Sequence, residues 1–223
     1  MVIRRTVTKV DNFDRAQALT TTPAGEFGWT VKDTSSAGTP TYLAVSGRGM
    51  KLTLTSTSEE QIVTMYQNDV LPYRIDKIKR VVYDAVVASV DAVTTLVFGI
   101  GSAQNDTEDS VANLAWFRME GSASTSNVVV ETDDGTTDLD DKATGKTLST
   151  TLKRFEIDFT NGLTDVRFYI DGERVAASTT FDMSAAASNN AQLFVQLHKA
   201  SGTGVPTVTI KHAAIEYNVA DGA

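Results

Sequence analysis

KRFEIDFTNGLTDVRFYIDGERVA, residues 153–176, decides the fold. Phe155, Ile157 and Phe159 alternate with Glu156 and Asp158, the period-two pattern of a strand with one buried face. Asn161-Gly162 is a turn signal. Val166, Phe168 and Ile170 then alternate with Arg167 and Tyr169. Asp171-Gly172 supplies the positive φ angles of a tight hairpin, and the return strand begins at Glu173. Three antiparallel strands sharing one apolar face follow from these residues.

Working outward, the same alternation recurs. Downstream, Leu193, Val195 and Leu197 point one way and Phe194, Gln196 and His198 the other. Val205–Tyr217 reads as the last strand, and its apolar set changes phase between Ile210 and Ile215, which predicts a bulge near His212. Upstream, Leu114–Glu120 carries Trp116 on one face and Phe117 on the other, so both faces are covered or one of them binds something. Leu96, Phe98 and Ile100 alternate up to Gly101. Ile78–Val90 reads as one long strand, and Met50–Leu54 and Gln61–Tyr66 as shorter ones. Trp29–Val31 and Tyr42–Val45 are shorter still. Pro72 marks a break, because proline cannot sit in a central ladder. Ala16–Leu19 has room for one helical turn, and Phe181–Asn190 for a loop or one short helix. There is no fixed-period repeat and no amphipathic helix longer than two turns, so the chain is all-β, a two-sheet sandwich or a barrel.

Val2–Val10 alternates loosely and is basic at Arg4, Arg5 and Lys9. It reads as a solvated edge strand or as an arm that docks on an acidic partner. Residues 1–28 are therefore expected to form an N-terminal arm and loop, and residues 29–223 a single β-sandwich domain, sandwiches of roughly 200–250 residues being commonly one domain.

Charge narrows the partners. Twenty Lys and Arg against 28 Asp and Glu leave a formal charge of -8. Phosphate backbones bind basic surfaces, so no nucleic-acid partner is expected. With no cysteine there is neither a disulfide nor a thiolate metal site, which leans towards folding in a reducing cytoplasm. Charges stand in residues 1–13 where a signal peptide needs an apolar run, so no signal peptide is expected. No stretch approaches the ~20 apolar residues that span a membrane, so no membrane partner is expected.

The run VRFYIDGERVA, preceded by FEIDF and followed by a last strand ending in AAIEY, resembles the second half of a concanavalin A-like (laminin G-like) jelly roll over residues 95–217. The resemblance implies a two-sheet antiparallel sandwich. The superfamily includes lectins, glycosidases, adhesion modules, and coat or appendage proteins of bacteriophages. The Ala/Thr/Ser-rich, cysteine-free character is most similar to the phage structural members.

Candidate chemistry is sparse. Glucanases of the superfamily carry an E-x-D-x-E run on one strand, and Glu156-Ile157-Asp158 begins like one. The third position is Thr160, so one of the two carboxyls a retaining glycosidase needs roughly 5–5.5 Å apart is missing. The acidic run Glu131, Asp133, Asp134, Asp138, Asp140 and Asp141 reads as a solvated loop, with a calcium site as the alternative because clustered aspartates supply several of the six to eight oxygens calcium takes. Asn105, Asp106, Glu108 and Asp109 form a second such cluster. His198 and His212 stand far apart with no third soft ligand, so zinc is not expected. Trp29, Trp116 and Tyr169, the last beside Arg167, pack in the core or against a subunit, or else stack on sugar rings.

What the resemblance implies is a non-enzymatic bacteriophage virion structural protein made in the host cytoplasm. The closest type is a capsid decoration or cement protein that binds other coat subunits as a homo-oligomer within an assembly. The alternative is a lectin-like module reading glycans through Trp116, Arg167 and Tyr169. No catalytic residue and no cofactor is expected, with calcium at Asp133, Asp134, Asp138 and Asp140 the one exception to test.

Overall fold

Two stacked antiparallel sheets of eight strands each make up the computed structural model, which describes residues 4–14, 19–23, 25, 27–45, 49–148 and 150–220. In chain order the strands are β1 (Arg4–Asp11), β2 (Thr30–Asp33), β3 (Thr41–Ala44), β4 (Met50–Thr53), β5 (Gln61–Tyr66), β6 (Tyr73–Arg74), β7 (Ile78–Ser89) and β8 (Thr94–Gly101), then β9 (Leu114–Glu120), β10 (Asn127–Asp133), β11 (Asp138–Thr147), β12 (Lys153–Asp158), β13 (Arg167–Ile170), β14 (Glu173–Val175), β15 (Asn190–Lys199) and β16 (Thr207–Ala220). The first sheet runs β14-β13-β12-β7-β16-β4-β3, with β1 also paired to β16. The second runs β11-β10-β9-β8-β15-β5-β2, with β6 also paired to β15. Among the described residues helix is confined to four single turns, two of them Glu108–Ser110 and Ser184–Ala186. None among the described residues is long and apolar enough to cross a membrane.

The deciding stretch forms β12, β13 and β14 as its alternation predicts. Phe155 lies opposite Ile170 and Asp158 opposite Arg167. Asp171 and Gly172 take φ angles of 52° and 80°, the left-handed pair that a two-residue hairpin turn requires. The phase change in the last strand is also present: the β16–β7 register shifts between Ile210 and His212.

Inward-facing residues of both sheets form one main core. Its centre is a chain of edge-to-face rings. Phe98 and Phe117 of the second sheet meet Phe155 of the first at 4.8 and 5.1 Å, and Phe168 meets Phe117 at 5.4 Å and Phe181 at 4.9 Å. Such pairs add about 0.5–1.5 kcal/mol each beyond the area they bury. Tyr83 ties the layers together by polar bonds. From β7 its hydroxyl donates to the Gly99 carbonyl at 2.8 Å and accepts from the Phe194 amide at 3.3 Å. Full burial drives its phenol pKa far up, so the group stays neutral. At one end the buried Lys199 ammonium donates to three carbonyls, those of Thr55, Thr57 and Gly204.

Of the two readings of this segment, edge strand or docking arm, the edge strand is what forms, and it is part of the sandwich. β1 pairs with β16 without a register break, from Arg4 opposite Ala220 to Asp11 opposite Ala213. Phe13, Leu19 and Phe27 are buried in the main core. A boundary at residue 29 therefore divides nothing. Its alternation is loose because β1 has a neighbour on one side only and carries solvated threonines and cations. Met1–Ile3, and all of the expected turn at Ala16–Leu19 except Leu19, lie outside the described residues.

Candidate functional site

The outward face of the second sheet is where side-chain chemistry concentrates. Register places Thr30, Tyr66, Phe194, Gly99, Trp116 and Glu131 in one row across β2, β5, β15, β8, β9 and β10. The next row holds Lys32, Thr64, Gln196, Val97, Arg118 and Val129. Gly99 is needed where it stands, because a Cβ there would lie 2.3 Å from the Ala115 carbonyl oxygen and 2.6 Å from the Trp116 Cα. The Trp116 and Phe194 rings stack with centroids 5.8 Å apart. With Tyr66, Val97, Leu114 and Val111 they form a second apolar cluster, separate from the main core.

Residues 102–113 cover this face. They leave β8 after Gly101, cross the sheet and re-enter it at Leu114. The neck is pinched by the Ser102 amide donating to the Asn113 carbonyl at 2.7 Å. Val111 plugs the apolar cluster. Three successive acids each find a cation on a different strand. Lys32 Nζ lies 3.0 Å from Asp106 Oδ1, His198 Nδ1 3.0 Å from Glu108 Oε1, and Arg118 Nη1 2.8 Å from Asp109 Oδ1. Burial works against the Glu108 charge, but the bond to His198 and its charge hold that carboxyl below the usual range. Burial also works against the imidazolium, and Glu108 and Glu60 outweigh it, so the His198 pKa is raised. The second acidic cluster of the sequence is thus an ion-paired set.

The ligand-stacking reading of Trp116 is overturned by the same cover. Trp116 is 0% exposed and its Nε1 donates to Glu131 Oε2 at 2.8 Å. Trp29 is likewise in the core. Arg167 and Tyr169 lie on the outward face of β13 in the other sheet, so the three candidates form no common site. Arg167 Nε donates to Asp165 at 3.0 Å, and Tyr169 stands between Glu156 and Arg174 in register. The E-x-D run of β12 resolves into an ion pair, Arg80 Nε to Glu156 Oε1 at 3.0 Å, and a turn cap, in which Asp158 accepts the Thr160 amide at 2.8 Å. His212 faces Asn12 Oδ1 at 2.8 Å, beside a hollow of about 280 Å³ floored by Val82 and Ala214.

The acidic run divides in two. Asp133 and Asp134 leave the calcium set because their oxygens hold a turn. Asp133 accepts the Gly135 amide, and Asp134 accepts those of Thr136, Thr137 and Ala185. Glu131, Asp138 and Asp140 do converge, each offering an oxygen within 4.8 Å of the others. These three are the residues with the geometry to hold a cation. Arg118 already lies 3.3 Å from Glu131 Oε2 and is held charged by Glu131, Asp109, Asp141 and Glu120 against its own burial. Glu131 is 1% exposed. Burial, aided by a carboxyl–carboxyl contact with Asp140, pushes its pKa up to about 7 against the pull of Trp116 and Arg118. Burial and the neighbouring Asp140 raise Asp138 to about 6. Near neutral pH Glu131 is partly protonated, so a cation would bind there in competition with a proton. A hollow of about 200 Å³ lined by Glu120, Asn127, Val129 and Asp141 opens beside it.

Arg118 and the His198–Glu108 pair went unread in the sequence. Alternation sets Trp116, Arg118 and Glu120 on one face of β9, but which residues cross that face is a long-range fact.

No family model and no curated protein sequence matches this chain. Solved structures do. An endo-acting O-glycanase of the human gut microbiota superposes with a TM-score of 0.59 at 10% identity, covering 95% of this chain and 98% of that one. A Bacteroides ovatus mixed linkage glucan GH16 protein, in complex with its G4G4G3G product, gives 0.53 at 10% identity over 93% and 99%. The potassium-bound carbohydrate recognition domain of Emp46p gives 0.51 at 12% identity over 85% and 88%. At such identities the likeness is one of fold: the chain is a two-sheet antiparallel jelly roll of the concanavalin A-like kind, an architecture shared with carbohydrate-recognition domains and GH16 proteins.

Proposed function

We propose that this chain is a non-enzymatic structural subunit of a bacteriophage particle that decorates the capsid by binding other coat subunits. The observation that carries this reading is the closed outward face of the second sheet. The Trp116–Phe194 pair is covered by Val111 of residues 102–113, which supports contacts at the rim over a ligand site on this face. The rim remains for contacts. β1 is an eight-residue edge strand in unbroken register, and its Arg5 and Lys9 make no salt bridge among the described residues. Leu43 on the edge strand β3 is 50% exposed, and Val70 and Leu152 are exposed in loops. Basic edge residues in a chain of charge -8 suit an acidic neighbour.

The test is to purify the particles released on lysis of the source culture through a density gradient and count this chain by quantitative mass spectrometry. Stoichiometric copies are expected, lost on Arg5→Glu with Lys9→Glu while the midpoint of unfolding holds. Absence from the particles refutes the proposal. Removing β1 would be a poor test, since it strips a strand from the sandwich.

A second reading, a glycan-binding module, draws on the fold and on the outward ring of Tyr169. It requires a positive glycan array that dims on Tyr169→Ala. A silent array refutes it.

A further inference from the structure

Among the described residues β1 is the one sheet edge that neither shortness nor a bulge blunts. The other outer strands are β14, β3, β2, β6 and β11. Four of these are only two to four residues long, and β11 breaks register twice against β10. Short or bulged edges resist the addition of another strand. β1 runs eight residues in unbroken register with β16 and contains no proline. Among the described residues its backbone pairs with β16 alone. Every second N–H and C=O along its other side is therefore open to an incoming strand.

Side chains decide what such a strand must carry. Register puts Arg5, Val7 and Lys9 on the face shared with Val219, Tyr217 and Ile215, and Thr6, Thr8 and Val10 on the face shared with Asn218, Glu216 and Ala214. Arg5 and Lys9 have no acid partner among the described residues. A second copy of β1 is the wrong occupant. Set antiparallel about Val7, two copies would bring Arg5 opposite Lys9 and Lys9 opposite Arg5, and like charges directly opposite are unfavourable. A neutral strand would gain the backbone ladder alone. A strand with an acid opposite each cation gains the ladder and two cross-strand ion pairs as well.

We propose that β1 is a docking edge for strand addition, and that it takes, antiparallel, an extended acidic segment of a neighbouring protein. Acids four residues apart lie opposite Lys9 and Arg5, and apolar residues opposite Val10 and Val7, so the segment reads Val-Glu-x-Val-x-Glu. This rests on the reading of β1 as a contact edge, and adds the conformation and the charge of what it contacts.

The test titrates acetyl-Val-Glu-Thr-Val-Thr-Glu-amide into the intact chain and follows the amide chemical shifts. A Kd below about 1 mM is expected, with the shifts centred on β1. Changing both peptide glutamates to glutamine should weaken binding at least about fivefold. Methylating alternate peptide nitrogens separates a ladder from plain charge attraction. One alternate set faces β1 and the other faces away, so of the two peptides methylated on one set or the other, one should bind and one should not. A chain carrying Arg5→Glu and Lys9→Glu should instead prefer the peptide with lysine at both glutamate positions. No binding of the first peptide overturns the proposal. So do equal binding of the two methylated peptides, indifference to the glutamine changes, or an unaltered preference in the charge-reversed chain. Failure here is separable from failure of the particle role. Peptide binding by a chain that is absent from particles upholds the docking edge and refutes the decoration role; stoichiometric copies on particles without peptide binding do the reverse.

Discussion

Glu131→Gln should flatten the dependence of stability on pH. The Glu131 carboxyl is moved from 4.5 to about 7 by burial, and each unit is worth about 1.4 kcal/mol, so roughly 3 kcal/mol is at stake. The sign follows from the direction. The folded pKa lies above the unfolded one, so between 4.5 and 7 the folded state holds the extra proton. Stability therefore falls as pH rises through that window, with the penalty absent below it and complete above it. In a chain of this size that is a loss of roughly 6–12 °C in Tm on going from about pH 4.5 to about pH 8. Glutamine keeps an oxygen for the Trp116 indole and has no proton to lose. His198, whose pKa is raised, also contributes stability that fades with rising pH, but it does so in both proteins and cancels in the difference. Calorimetric melting of wild type and variant across this range reads the effect directly. Two pH profiles that stay parallel to within about 1 °C would refute the assignment of Glu131 as a buried, proton-holding carboxyl.

Gly99→Ala places a methyl group against the backbone of β9 and should cost at least about 2 kcal/mol by denaturant unfolding; a neutral substitution would mean that β8 and β9 stand further apart than described. Lys199→Met removes the donor shared by three carbonyls, and a loss of about 3 kcal/mol is expected. A change within about 0.5 kcal/mol would show that water replaces the ammonium at no cost. Arg118 already balances Glu131, so calcium at about 5 mM should move the midpoint at about pH 8 by less than about 1 °C. A calorimetric Kd below about 1 mM would reassign Glu131, Asp138 and Asp140 as a cation site.

The fold was legible because its evidence is local. The alternation through Phe155, Ile157, Val166 and Phe168, the Asp171-Gly172 turn and the phase change after Ile210 each need only neighbouring residues to be read. The site was legible in part. Period two correctly sets Trp116 on the face opposite Phe117, but outward on a strand means exposed only if nothing crosses the sheet. Residues 102–113 cross it, and their hold on Lys32 and His198 spans up to 90 positions. The same limit explains the acidic run. Six carboxylates close in sequence look alike until the Asp133–Asp134 turn and the β10–β11 pairing send two of them to backbone amides and bring Glu131 towards Asp138 and Asp140.

The pairing of β1 with β16 has a consequence for synthesis. The ribosome delivers β1 long before β16, the strand it pairs with among the described residues, at residues 207–220. At roughly 5–20 residues per second, β1 waits on the order of 10–40 s as an unmatched ribbon. Over that interval the like charges at Arg4, Arg5 and Lys9 work against pairing between nascent chains on one message. The charge on this strand thus bears on the newborn polypeptide before any partner can meet the finished edge.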